Sequence, residues 1–85
     1  MFKVELGNPP QRFLKKCDSE LYDRLINKIK SLALDPFPKD VKRVVGRTEK
    51  VFRVRVGDYR IQYVLLYEQN LLLITDIDKR SRAYD

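Results

Sequence analysis

The segment 51–56 follows a two-residue period so strictly that it constrains the fold more than any other part of the chain. Apolar side chains take positions 52, 54 and 56, whereas Arg53 and Arg55 share the other face. This alternation is typical of a β-strand that is buried on one face and exposed to solvent on the other. We therefore predict a strand that presents two arginines from one face.

The residues after this strand predict how it is paired. Gly57-Asp58 favours a tight turn, and 59–67 is apolar on both faces beyond its first residues, as expected of a central strand. A two-residue turn would set Arg55 directly opposite Arg60, with Gln62 on the same face as Arg60. Opposed arginines repel each other, so the pairing indicates an anionic ligand; the alternative is an ordinary solvated sheet face.

The N-terminal part of the chain predicts one strand and two helices. Alternation over 2–6 indicates a short strand. Asn8 is a candidate cap for a helix that accepts prolines in its first turn and runs to about Cys17. Asp18 is expected to cap a second helix to about Leu34, whose apolar residues recur at spacings of one, three and four. Two helices with so short a join predict a helical hairpin.

Proline and glycine divide the rest of the chain. The two prolines in 35–38 end the second helix, and the segment up to about Gly46 is expected to be a basic loop, with a turn of helix as the alternative. A turn is expected before residue 71, and Asn70 can adopt the left-handed conformation there. The pattern then predicts a last strand over 71–78 and a polar tail over 79–85. The whole pattern predicts an α+β fold in one domain, 1–85, with an N-terminal strand, a helical hairpin and a three-stranded antiparallel meander.

Positive charge is concentrated in one stretch. The chain has a formal net charge of +6, and 39–60 holds eight cations against three anions. This asymmetry favours an anionic partner, such as nucleic acid, an acidic protein or, less readily, a membrane surface. The alternative is that these charges only keep the protein soluble and bind no partner. No signal peptide or apolar run of about 20 residues is visible, so we expect a cytoplasmic protein.

The residue types present restrict the chemistry. The chain has no histidine and one cysteine, Cys17. A disulfide within the chain is therefore impossible, and Cys17 falls in an apolar helical register, where it is expected to pack as a small hydrophobe. Asp76 and Asp78 share a strand face, and their pattern allows two interpretations. They are either two carboxylates of a metal site or, as we favour, groups that orient neighbouring arginines.

The segments 51–56, 57–63 and 78–84 together resemble the RelE/ParE toxin superfamily, and the likeness covers nearly the whole chain. It implies a RelE-like, microbial-ribonuclease-like fold. In the RelE branch it also implies a metal-independent endoribonuclease that needs no cofactor. Such a toxin cuts messenger RNA in the ribosomal A site and is neutralised by a RelB-like antitoxin. The alternatives are a ParE-like gyrase inhibitor without catalysis and a plain RNA-binding module.

The resemblance also implies roles for particular residues. Arg53 and Arg55 match the family's paired strand cations, and Arg60 matches the arginine of its Tyr-Arg motif. In the tail, Tyr84 matches the family's tyrosine and Arg80 its arginine, although the spacing also allows Arg82. We expect the arginines to hold phosphate, Tyr84 to act as the base, and Arg80 or Lys79 to serve the leaving group. The candidate RNA-binding residues are Arg47, Lys50, Lys79 and Arg82.

Overall fold

The part of the chain that the structure describes is a five-stranded sheet with two helices packed on one face. The structure, a computed structural model, describes residues 1–44, 46 and 50–79. The sheet order is β1-β5-β4-β3-β2, with β1 parallel to β5 and all other neighbours antiparallel. In chain order the elements are β1 (Lys3–Leu6), α1 (Asn8–Lys16), α2 (Ser19–Leu34), β2 (Lys42–Arg43), β3 (Phe52–Val56), β4 (Tyr59–Leu66), a 3₁₀ turn (Tyr67–Gln69) and β5 (Leu71–Lys79).

The predicted meander of β3, β4 and β5 is confirmed, and so is its register. Arg55 pairs with Arg60 across the hairpin, next to the pair that closes the turn. Gly57 has a φ of +58°, a left-handed conformation that favours glycine. Val54 and Ile61 are fully buried on the helix side, and a one-residue slip would expose both. Burial of the apolar face therefore fixes the arginine pair on the other.

The two helices begin in different ways. The predicted cap at Asn8 is wrong, because α1 starts at Asn8 and Gly7 takes the cap position without a side-chain bond. Pro10 lacks the N–H that a side chain of Asn8 would have capped. The predicted cap of α2 is confirmed: the Asp18 carboxylate accepts a 2.8 Å bond from the Leu21 N–H. Neither helix is long and apolar enough to span a bilayer in the described part of the chain.

Helix α2 supplies most of the helical side of the core. Its predicted stripe packs against the sheet, except at Tyr22, which is 43% exposed. Helix α1 lies against β5, while α2 contacts β1 and β3. The stripe residues of α2 that are buried are Leu21, Leu25, Ile29, Leu32 and Ala33.

Two strand placements go beyond the sequence prediction. The N-terminal strand was expected, but its place beside β5, with Lys3 opposite Leu71, depends on contacts distant in the chain. The expectation of a loop throughout the basic segment is wrong, because Lys42 pairs with Arg53 in β2. A two-residue strand has no periodicity to detect, and its conformation comes from pairing with β3.

Tyr63 ties the segment after α2 to the sheet. Its side chain is fully buried, and its hydroxyl donates a hydrogen bond to the Pro36 carbonyl. Burial raises the pKa of Tyr63, and the nearby Asp40 and Asp35 carboxylates raise it further. The tyrosine therefore stays neutral in the folded protein at pH values where an exposed tyrosine ionises.

Tyr63→Phe keeps the ring and removes this hydrogen bond, so we expect the free energy of unfolding to fall by about 1 kcal/mol near neutral pH. The wild type gains this stability in full below the ordinary tyrosine pKa of about 10 and loses it as the pH rises above that value. The variant has no hydroxyl to ionise at this position, so its stability does not fall with pH in this way. Urea unfolding at about pH 8 and about pH 11 should show the gap between the two proteins narrowing. A constant gap would contradict the assignment.

Candidate nucleic-acid interface

Two rows of polar side chains cross the sheet face opposite the helices. Residues paired across strands point to the same side, and alternate residues along a strand share that side. The register therefore places the two rows next to each other. We call them the cationic face: one row is Lys42, Arg53, Gln62 and Asp76, and the other is Arg55, Arg60 and Asp78.

The best-defined contact on the cationic face joins Arg60 to Asp78. Arg60 Nε lies 3.1 Å from Asp78 Oδ1, and its Nη2 lies 3.2 Å from Oδ2. This two-point contact fixes the plane of the guanidinium, whose side chain is only 16% exposed. The carboxylate also offsets the repulsion between Arg60 and Arg55. Asp78 therefore orients an arginine, which is the role that the sequence analysis favoured for the two aspartates.

The other two arginines differ in their surroundings. Arg53 is half-buried between Lys42 on one side and Gln62 on the other. Arg55 is exposed and, among the described residues, makes no hydrogen bond or ion pair. Arg55 therefore lies opposite another cation and has no counter-ion among the described residues, so an anionic group from outside the chain can bind it.

The structure brings some of the predicted site residues together and separates others. Arg53, Arg55 and Arg60 lie on one face, as expected. Lys50 is exposed just before β3. Lys79 is paired with Tyr59 and, by alternation with Asp78, emerges on the helix side of the sheet. It does not share the cationic face. Four predicted residues lie outside the described part of the chain: Arg47, Arg80, Arg82 and Tyr84.

Lys42 is a member of the cationic face that the sequence did not identify. It reaches this face because β2 pairs it with Arg53. No local pattern indicates this, since Lys42 lies within a run of cations and its strand is only two residues long. The concentration of charge between residues 39 and 60 was the one available signal.

Cys17 is not part of this site. It lies at the end of α1, on the helix side, and its thiol contacts the Leu14 carbonyl at 3.5 Å. Desolvation raises the pKa of the Cys17 thiol, and the neighbouring Asp18 raises it further. A thiol with a raised pKa is a poor nucleophile, because the thiolate is the reactive form.

The fold and the cationic face define a class: a small basic α+β protein that presents arginines from an open sheet. The comparisons with known proteins narrow this class. Residues 5–84 match the family model described as the ParE toxin of type II toxin–antitoxin systems. A protein of Methanocaldococcus jannaschii assigned as toxin RelE1 is 34% identical, over 98% of this chain and 94% of its own length. The chain therefore belongs to the RelE/ParE superfamily of toxins.

Solved structures show the same fold. The RelE–RelB complex of Pyrococcus horikoshii contains a chain that matches with a TM-score of 0.79 at 23% identity, covering 95% of this chain and 97% of that one. A chain of the Escherichia coli RelBE toxin–antitoxin complex matches with a TM-score of 0.82 at 14% identity, covering 96% and 100%. The α+β fold expected from the sequence is thus confirmed.

Arg55→Gln should stabilise the free protein, because it removes a like-charge pair. We expect the free energy of unfolding to rise by about 0.2–1 kcal/mol at low salt, and the gain to shrink at high salt. Lys39→Gln is the matched control, since it removes the same charge from an exposed position outside the sheet. Equal effects of the two variants in urea unfolding would show a general charge effect and contradict specific repulsion.

Proposed function

We propose that this protein is a ribosome-dependent endoribonuclease that cuts messenger RNA in the A site and is kept silent by a RelB-like antitoxin. The observation that carries the proposal is the row of Arg55, Arg60 and Asp78, in which two arginines are held opposite each other and one is oriented by a carboxylate. Such a row suits one phosphate group of an RNA backbone.

The proposed reaction is attack of the ribose 2′-oxygen on the adjacent phosphorus. The P–O bond to the 5′-oxygen of the next nucleotide breaks, which leaves a 2′,3′-cyclic phosphate and a free 5′-hydroxyl. Negative charge grows on the phosphate oxygens during attack. Arg60, with Arg53 or Arg55, stabilises this charge by bidentate hydrogen bonds. Arginine is suited to this task and poorly suited to proton transfer, since its pKa exceeds about 12.

In this proposal the tail, 79–85, supplies the base and a cation that stabilises the leaving oxygen. Tyr84 takes the proton of the 2′-hydroxyl, because a cluster of cations lowers the pKa of a tyrosine towards the working range. Arg80 stabilises the negative charge on the leaving 5′-oxygen, which takes its proton from water. Both follow Lys79, where β5 ends beside the Arg60–Asp78 pair. Lys79, the other candidate for the leaving group, is on the helix side and takes no part in this scheme.

The shape and chemistry of the site support dependence on the ribosome. The cationic face is an open sheet surface, and the chain has no histidine to act as a base near neutral pH. A weak base works only when the reacting groups are already aligned, and alignment by a large complex is worth several orders of magnitude in rate. The ribosomal A site would supply that alignment for messenger RNA.

Two features support the antitoxin partner and the RelE-like reading. The structural relatives include RelE chains solved together with RelB, in P. horikoshii and in E. coli. The relative with 34% identity is assigned as a RelE toxin. The matching family model is described as ParE, but the RelE relatives favour the ribosome-dependent nuclease over a gyrase inhibitor.

Arg60→Ala should lower messenger RNA cleavage on purified ribosomes by about 10²–10³-fold while the protein stays folded. Primer extension maps the cuts, and circular dichroism checks the fold. Arg12→Ala is the matched control, because Arg12 is an exposed arginine on α1, on the other side of the sheet. Cleavage that persists in Arg60→Ala would refute the site. Intact messenger RNA together with blocked DNA supercoiling would establish the gyrase alternative instead.

Asp78→Asn should lower the rate at saturating protein on the order of 10- to 100-fold, because Arg60 loses the carboxylate that orients it. The concentration that gives the half-maximal rate should change little, since the cations that bind RNA remain. Asp76→Asn is the isosteric control on the same face, opposite Gln62. Faster cleavage by Asp78→Asn would mean that the carboxylate competes with phosphate, which is the opposite of a positioning role.

A further inference from the structure

An exposed aromatic ring lies at the β2 edge of the sheet, on the helix side. Phe37 is 48% exposed, and its ring meets that of Phe52 edge to face, with centroids 5.3 Å apart and planes at 83°. Phe52 in turn contacts Tyr63, which is fully buried. A row of three rings therefore runs from the core to the surface and ends at Phe37.

The backbone holds Phe37 in a fixed place. Pro36 and Pro38 flank it, and each proline fixes its own φ angle and restricts the residue before it. The Phe37 N–H donates a 3.1 Å hydrogen bond to the Asp35 carboxylate, and the Pro36 carbonyl accepts the bond from the Tyr63 hydroxyl. A ring held in this way loses little conformational entropy when a ligand covers it.

Positive charge lies beside this ring. β2 pairs Arg43 with Phe52, so Arg43 emerges on the helix side, next to the ring that Phe37 contacts. Arg43 is exposed and makes no hydrogen bond or ion pair within the part of the chain that the structure describes. The Asp40 carboxylate of the preceding segment pairs instead with Lys28, at 3.3 Å. We call Phe37, Phe52 and Arg43 the aromatic edge.

The chemistry of the aromatic edge suits single-stranded nucleic acid. Every base has a π-face that can stack on an aromatic ring, and a guanidinium can bind the phosphate beside that base. A second copy of this chain, with its net charge of +6, would be repelled.

The aromatic edge is continuous with the cationic face. Successive residues of a strand point to opposite sides, so Lys42 lies on the cationic face and Arg43 on the helix side. β2 is the outer strand of the described sheet and has only two residues. An RNA strand can therefore pass from Arg53 over Lys42 and around this edge to Arg43 while its phosphates stay near cations. From β4 to β2 the distance is about 10 Å, which a few nucleotides span.

We propose that Phe37 is a stacking site for an unpaired base of the messenger RNA strand that the cationic face binds. Arg43 contacts a phosphate of the same stretch of RNA, and Phe52 supports the ring from behind. The stacked base lies outside the cleavage site, so this contact contributes to binding of the message and not to the reaction. The inference rests on the proposed function, since it takes messenger RNA as the ligand.

Phe37→Leu removes the π-face and keeps an apolar side chain against Phe52. The probe is a single-stranded oligouridylate of about 10 nucleotides, titrated by fluorescence anisotropy at low salt. We expect Phe37→Leu to weaken its binding by about 5- to 20-fold. Tyr67→Leu is the matched control and should bind like the wild type. Tyr67 is 66% exposed and also packs on one ring, but that ring is Phe2, beside β1 at the other edge of the sheet.

A tryptophan at this position reports stacking directly. The chain has no tryptophan, so Phe37→Trp carries a single indole. We expect this variant to keep the wild-type affinity and its fluorescence to fall when oligouridylate binds, because a stacked base quenches the indole. An RNA of the same length without bases keeps the phosphates and should leave the fluorescence unchanged. Tyr67→Trp should stay unquenched with either RNA.

Arg43→Gln tests the phosphate contact. It should weaken binding of oligouridylate and of the base-free RNA alike, and lower the slope of log affinity against log salt concentration by about 0.7. Arg12→Gln is the matched control, because it removes an exposed arginine of α1 with the same change in net charge. An equal loss of slope in both variants would show a general charge effect and overturn the phosphate contact.

The outcomes separate this inference from the proposed function. An unquenched Phe37→Trp indole in the RNA complex, or wild-type affinity in Phe37→Leu, would overturn the stacking site, and so would failure of the wild type to bind oligouridylate. Cleavage on ribosomes is decided separately, by the Arg60→Ala assay, and would stand in each case.

A protein ligand for the ring gives a different result. Loss of antitoxin binding in Phe37→Leu with unchanged RNA affinity would assign Phe37 to a protein partner and overturn the stacking site. Unfolding curves check that each variant folds. Phe37→Trp keeps a ring against Phe52, so it carries the test by itself if Phe37→Leu does not fold.

Discussion

The pairing of β3 with β4 is the constraint on which the site depends. The helix side of this hairpin carries Val54 and Ile61, both fully buried, so the register cannot slip by one residue without exposing the core. The same register places Arg55 opposite Arg60 on the other face. Apolar burial thus supplies the free energy that holds two like charges together. β5 adds Asp78, which fixes the orientation of Arg60.

This arrangement would let a small chain hold the proposed phosphate-binding site without a deep pocket. The side chains of the cationic face are positioned by strands whose opposite face is core, so their backbones are rigid. Arg60 is held further by its ion pair, while Arg55 stays exposed. One arginine is therefore pre-oriented and the other is accessible, which suits a ligand that arrives from solution.

The sequence predicted those parts of the fold that depend on local pattern. The two-residue period and the turn at Gly57 gave the hairpin and the opposed arginines, and the cap at Asp18 gave the start of α2. β2 and the parallel partner of β1 were beyond sequence reasoning, because both depend on residues distant in the chain. Lys42 was missed for the same reason. The roles of Arg80 and Tyr84 remain predictions that rest on the family resemblance.

The proposed role of the cationic face is to promote attack by a ribose 2′-oxygen. The most direct measurement uses messenger RNA with a single 2′-deoxy nucleotide at the cleaved position, bound to ribosomes and treated with the purified protein. We expect the deoxy message to stay intact, while the unmodified message yields a 2′,3′-cyclic phosphate end. Cleavage of the deoxy message, or a product with a free 3′-hydroxyl, would contradict attack by the 2′-oxygen.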